Sequence, residues 1–157
     1  MNRNRNRRFT AVAAVAASLA SIGAIAGPAH AASFPFDHDD MTLVATQASL
    51  TFSGVDWSQE IGGNVISGRL SGTLTYHGGL AGCARVVTRW RSSTGAVLDT
   101  DFSPEVCSPT SLPAVPKSFA DSASSSALRS VRVELQVRTL NTGYSTIAAK
   151  SVVAGNG

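Results

Sequence analysis

Histidine and cysteine are the telling shortages in this sequence. The 157 residues include three histidines and two cysteines, and the cysteines fall in no spacing of the Cys/His sets that hold structural zinc. No His-Glu-x-x-His, Gly-x-x-x-x-Gly-Lys-Ser/Thr or Gly-x-Gly-x-x-Gly pattern occurs, which removes the local signatures of metalloproteases, phosphate-cradling loops and dinucleotide sites. A Gly-x-Ser-x-Gly elbow is missing too, so a serine nucleophile has no strained turn to present it. Charged residues make up only 15% of the chain and aromatics 6%. The calcium-loop pattern is also absent, since Asp37-His38-Asp39-Asp40 lacks both the glycine and the distal glutamate.

Long hydrophobic runs are absent except at the start. Residues 1–31 have the three parts of an export signal: a cationic head with Arg3, Arg5, Arg7 and Arg8, an apolar run from Phe9 to Ala26, and the small-residue triplet Ala29-His30-Ala31. The run is mostly alanine, is interrupted by Ser18 and Ser21, and has no positive far flank, so a cleaved signal helix fits better than a membrane span. General export is expected, with the twin-arginine route open through Arg7-Arg8. Cleavage after Ala31 leaves 126 residues, the size of one domain.

Cleavage also changes the charge. The full chain has 13 basic and 10 acidic residues, but the four arginines of the signal leave nine against ten, a net charge near −1. Nucleic acid is therefore not an expected partner, because the basic balance belongs to the discarded peptide. The two cysteines fall in neither a metal nor a C-x-x-C spacing, and in an oxidising compartment a Cys83–Cys107 disulfide is expected.

The mature chain alternates with the period of half-buried strands. Ala48, Leu50 and Phe52 form one such row, Ile66, Leu70, Leu74 and Tyr76 a second, and Ala84, Val86 and Trp90 a third. Val131, Val133, Leu135 and Val137 alternate without exception with Arg132, Glu134, Gln136 and Arg138. Gly68 and Gly72 take inward positions and leave room for Trp90 from a facing sheet. Ser93-Thr94-Gly95 is expected to close a hairpin with Trp90 opposite Leu98 and Arg89 opposite Asp99; Asn141-Thr142-Gly143 should close another, placing Ile147 opposite Val137, Lys150 opposite Glu134 and Val153 opposite Val131. Residues 32–44 are expected to be a flexible, solvated arm, residues 54–64 a long connection, the Pro104–Pro116 region extended, and Ser122 to Ser126 a loop. The fold class is all-β: an antiparallel sandwich of about seven strands over residues 45–157.

Function is less determined. His38 and His77 sit in irregular chain, so no Ser–His–carboxylate set is evident; no catalytic residue, metal or cofactor is assigned. Binding through loops is the favoured class, with an extracellular protein or glycan as partner. The candidates are Trp57, which could stack on a sugar ring or simply pack over the core, Tyr144 beside the last turn, and Arg85, Arg89 and Arg91 on one strand face. Asp99 and Asp101 are expected to neutralise part of that face. Alternatives are a protease inhibitor presenting residues 103–110 and an unrecognised secreted hydrolase.

With its Ala/Val signal, eleven arginines to two lysines, and Ala-, Ser- and Gly-rich body, the chain resembles small secreted proteins of high-GC actinobacteria. Its strand pattern resembles, in architecture, immunoglobulin-like and fibronectin-type sandwiches, which implies loops at two ends as the functional parts. Secreted subtilisin inhibitors and enediyne carriers are similar in size and location, but typically have two disulfides where this chain can form one. Cys83 shares the register of the arginines, so the bridge should clip the edge or end of the sandwich and not cross its core.

Overall fold

The computed structural model describes residues 33–39, 41–110 and 112–155; the expected export signal lies outside them. Ten strands account for most of this chain: β1 (Ser33–Asp39), β2 (Thr42–Val44), β3 (Ala48–Glu60), β4 (Ile66–Tyr76), β5 (Gly82–Ser92), β6 (Val97–Phe102), β7 (Val106–Ser108), β8 (Lys117–Ser125), β9 (Leu128–Thr139) and β10 (Ser145–Val153). They form two five-stranded antiparallel sheets. One has the order β1-β3-β4-β8 with β2 also on β3, and the other β10-β9-β5-β6 with β7 also on β5.

Ten strands replace the expected seven because short stretches without clear alternation pair through their main chains. Residues 33–39 and 42–44 are not a solvated arm: both add to β3, and Met41 and Leu43 are buried. The serine run is not a loop either. It forms β8 along the edge of β4, with Ser67 Oγ 2.7 Å from Ser124 Oγ. An edge strand needs a ladder on one side only, so its side chains can stay polar. Cys107 lies in β7, not in irregular chain.

One apolar core lies between the sheets, built from Leu50, Val55, Trp57, Leu70 and Leu74 on one side and Val86, Trp90, Val131, Val133 and Leu135 on the other. The two tryptophan rings meet edge to face at 5.9 Å, a favoured aromatic geometry. Gly68 supplies the space they need: a Cβ there would stand 2.8 Å from Trp90 Cη2 and 2.9 Å from Trp57 Cζ3. Gly72 packs instead against Phe52 and Phe119.

Asp121 stitches the layers together. It leaves β8 and accepts hydrogen bonds from Thr88 Oγ1 and from Trp90 Nε1, the latter at 2.7 Å. The buried indole N–H of the central tryptophan is satisfied by a carboxylate from the opposite sheet.

Both hairpin registers differ from expectation, the first because of a bulge and the second because its turn closes earlier. Gly95 is left-handed (φ 82°) and closes its loop as expected, with Ser92 N donating to Ala96 O at 2.9 Å. Leu98 then inserts as an extra residue, so Trp90 faces Asp99 and Arg89 faces Thr100. In the second hairpin Gly143 is not left-handed. Thr142 N donates to Thr139 O at 3.2 Å and its hydroxyl accepts from Thr139 N at 3.0 Å, which closes the turn earlier. A shift at Ile147 follows, leaving Ser145 opposite Val137, Ala149 opposite Glu134, Lys150 opposite Val133 and Val152 opposite Val131.

Candidate functional site

Strands β5 and β9 run side by side at the centre of their sheet, and their outward residues meet in pairs: Cys83 with Arg138, Arg85 with Gln136, Val87 with Glu134, Arg89 with Arg132. This brings five arginines, counting Arg91, onto one face with only two glutamates, Glu134 and Glu105. Alternation alone put Arg85, Arg89 and Arg91 together. The partners from β9 became visible only once the strand pairing was known.

Arg89 opposite Arg132 would repel, and Glu134 resolves the conflict. Its Oε1 takes an ion pair from Arg89 Nη1 and a 2.9 Å bond from Arg132 Nε, while Oε2 accepts from Gln136 Nε2 at 3.1 Å and Thr146 Oγ1 at 3.3 Å. Burial pushes this carboxyl up, but the bonds from Arg89 and Arg132, the Arg89 charge and the Gln136 bond outweigh it and hold the pKa at about 2. Arg89 is therefore committed to structure.

The neutralising role expected of Asp99 and Asp101 does not occur. The Leu98 bulge turns them to the other side of β6, where their carboxylates accept from the backbone N–H of Thr100 and Phe102 at 2.8 and 2.7 Å.

Arg85 is held differently. Its guanidinium carbon lies 3.8 Å from the Tyr144 ring centroid and 4.8 Å from that of Phe102, and Nε donates to Gln136 Oε1 at 3.0 Å. Among the described residues no carboxylate makes an ion pair with Arg85 or Arg91. The two rings fix the orientation of Arg85, and its charge acts on Glu105 without a direct ion pair. Two of the sequence candidates, Arg85 and Tyr144, thus form one unit.

Arg138 Nη2 pairs with Glu105 Oε2 at 3.2 Å, and the guanidinium carbon lies 5.3 Å from the Tyr144 ring centroid. The Tyr144 hydroxyl is enclosed beside Glu105 and Arg138 but meets neither with hydrogen-bond geometry. Its proximity, opposed by desolvation and then reinforced by Arg138 and Arg85, keeps Glu105 below the usual carboxylate range. Desolvation raises the Tyr144 phenol, and Arg138 opposes that rise.

The disulfide belongs to the same face. Cys83 and Cys107 are directly opposite on β5 and β7, Cα atoms 4.0 Å apart. The bridge joins neighbouring strands of one sheet and leaves the inter-sheet core alone. Glu105 lies beside it, and Cys83, Glu105 and Cys107 form the single three-ligand grouping among the described residues, with both sulfurs in the bridge. Residues 103–110, considered above as an inhibitory loop, are anchored by this strand: Val106 and Ser108 are buried, leaving Glu105 and Cys107 outward.

Trp57 is corrected as a ligand contact. It lies within β3, fully buried against Trp90, with Nε1 donating to Asp39 Oδ2 at 3.1 Å. Its ring presents no face to a sugar. On the same sheet His38 Nδ1 lies 2.6 Å from Asp56 Oδ1 at an exposed position. A separate cleft of about 200 Å³ opens between β6 and β8, lined by Asp101, Phe102, Pro104, Phe119 and Asp121.

These elements define an all-β protein with two stacked five-stranded sheets, one disulfide and a cationic sheet face. No protein-family model and no curated protein matches the chain.

Proposed function

We propose that this is an exported, non-catalytic binding module of immunoglobulin-like type, which engages an anionic extracellular surface through the outer face of β5 and β9. The single observation that carries this reading is the mounting of Arg85: two aromatic rings and an amide hold it, and among the described residues no acid forms an ion pair with it. Arg91 and the partly paired Arg138 extend the field, while Glu134 absorbs Arg89 and Arg132. Cationic arrays of this kind raise the local concentration of anionic partners and quicken encounter. The immunoglobulin-like assignment is supported by the crossing pattern, in which β4 pairs with β8 in one sheet while the strands that follow them, β5 and β9, pair in the other. Export is supported by the expected signal and the disulfide, and among the described residues no helix is long and apolar enough to cross a membrane.

The test is retention of the mature chain on an immobilised polyanion such as polyglutamate. Arg85→Gln with Arg138→Gln should elute at clearly lower salt than the parent. Equal elution of parent and variant refutes this use of the face.

A further inference from the structure

The end of the sandwich beside Arg85 and Tyr144 has a second property. Four large aliphatic side chains stand out from three loops there: Leu80 (59% exposed), Leu112 (68%), Val115 (82%) and Leu140 (62%). The loops are fastened to the same strand ends. Tyr76 O accepts from Ala114 N at 3.1 Å, Tyr76 Oη donates to Leu80 O at 2.9 Å, and Gly82, just after the first loop, pairs with Thr139, just before Leu140. Residues 77–81, 112–116 and 140–144 contain no Asp, Glu, Lys or Arg. Cations lie immediately behind them on the strands: Arg85, Arg138 and Lys117. The nearest acid, Glu105, is paired with Arg138, and its carbonyl receives Lys117 Nζ at 2.8 Å.

We infer that this end docks onto an anionic lipid bilayer, with the aliphatic loop tips entering the headgroup–acyl boundary and the arginines and Lys117 meeting the headgroups. The inference rests on the proposed cationic face and names the surface that face meets. Interfacial binding of this kind combines buried apolar area with attraction to anionic lipid. A soluble polyanion would use the cations and leave the four aliphatics in water. At the loop tips themselves a protein partner is less well matched, because binding hot spots under-represent Leu and Val. Pro113 and Pro116 in the central loop, with the Cys83–Cys107 bridge nearby, stiffen the tips and reduce the ordering cost of insertion.

The experiment is flotation of the mature chain with phosphatidylglycerol vesicles, phosphatidylcholine vesicles and, as a soluble competitor, polyglutamate, for the parent, Val115→Asp, Leu140→Asp and Arg85→Gln. The parent should favour the anionic vesicles, and each Asp variant should lose about tenfold or more in vesicle affinity while keeping its thermal midpoint and its affinity for polyglutamate. Binding to polyglutamate without vesicle binding overturns the lipid inference and leaves the cationic face standing. Binding to neither overturns both. Vesicle binding indifferent to Val115→Asp and Leu140→Asp, or loss of self-association as their only effect, also overturns it.

Discussion

Replacing Gly68 with alanine perturbs the packing of this protein at its tightest point. The new Cβ would sit 2.8 Å from Trp90 Cη2 and 2.9 Å from Trp57 Cζ3, closer than real Cβ contacts come, and neither ring can swing away. Both are fully buried between the sheets, and Trp90 Nε1 is held by Asp121 at 2.7 Å. Overpacking a core costs about 1–3 kcal/mol, and the rigidity of these neighbours puts this case near the top, at about 3 kcal/mol. For a domain of this size that corresponds to a fall in thermal midpoint of roughly 10–15 °C. Gly143→Ala is the matched control: its Cβ meets nothing within 4 Å and its φ is not positive, so the loss of unfolded-state entropy should leave stability unchanged or about 0.5 kcal/mol higher. Guanidinium unfolding followed by tryptophan fluorescence reads both. If Gly68→Ala lies within about 0.5 kcal/mol of the parent, the meeting of the two tryptophans across Gly68 is wrong.

Other consequences follow from single groups. Glu134 has a folded pKa of about 2 against an ordinary 4.5, so its contribution of about 3 kcal/mol is complete above the ordinary value and is lost as pH falls from about 4.5 towards 2; Glu134→Gln should flatten that part of a stability–pH curve. Asp121→Ala strands the indole N–H of Trp90 and should cost about 2–3 kcal/mol, measured by denaturant titration, whereas Asp121→Asn keeps an acceptor and should cost less. Replacing Cys83 and Cys107 together by alanine should remove about 2–4 kcal/mol, and intact-mass analysis of the parent should show the mass of two hydrogen atoms lost on oxidation to the disulfide.

Strands with uninterrupted alternation were legible in the sequence. The row Val131, Val133, Leu135, Val137 reads inward throughout, and the vacancy at Gly68 could be matched to Trp90 because a glycine inside an apolar row needs a large neighbour. Where a bulge breaks the period, the reading failed. In β3 the inward positions are even up to Phe52 and odd from Val55 onward, because the register shifts between Phe52 and Gly54; the break made Trp57 look like a loop aromatic. Leu98 has the same effect on the first hairpin register, and in the second the turn closed by Thr139 and Thr142 shifts the pairing before Ile147 is reached. Strands β1, β2 and the serine-rich half of β8, beyond the short strand that Phe119 suggests, were illegible for a different reason, since their order comes from main-chain pairing with β3 and β4 and leaves little trace in side-chain pattern. Of the candidate site, the arginine row was visible, but its electrostatics were not. The sparing of Arg85 and the neutralisation of Arg89 depend on Tyr144, Phe102 and Glu134, which reach the face only through tertiary pairing.

The cationic face makes one quantity decisive: the salt dependence of binding to an anionic surface. Screening shortens from about 10 Å at 0.1 M salt to about 3 Å at 1 M, so affinity of the mature chain for polyglutamate or phosphatidylglycerol vesicles should fall steeply over that range. Arg85→Gln with Arg138→Gln should flatten the fall. Affinity that does not change with salt, or a slope identical in parent and variant, contradicts the account.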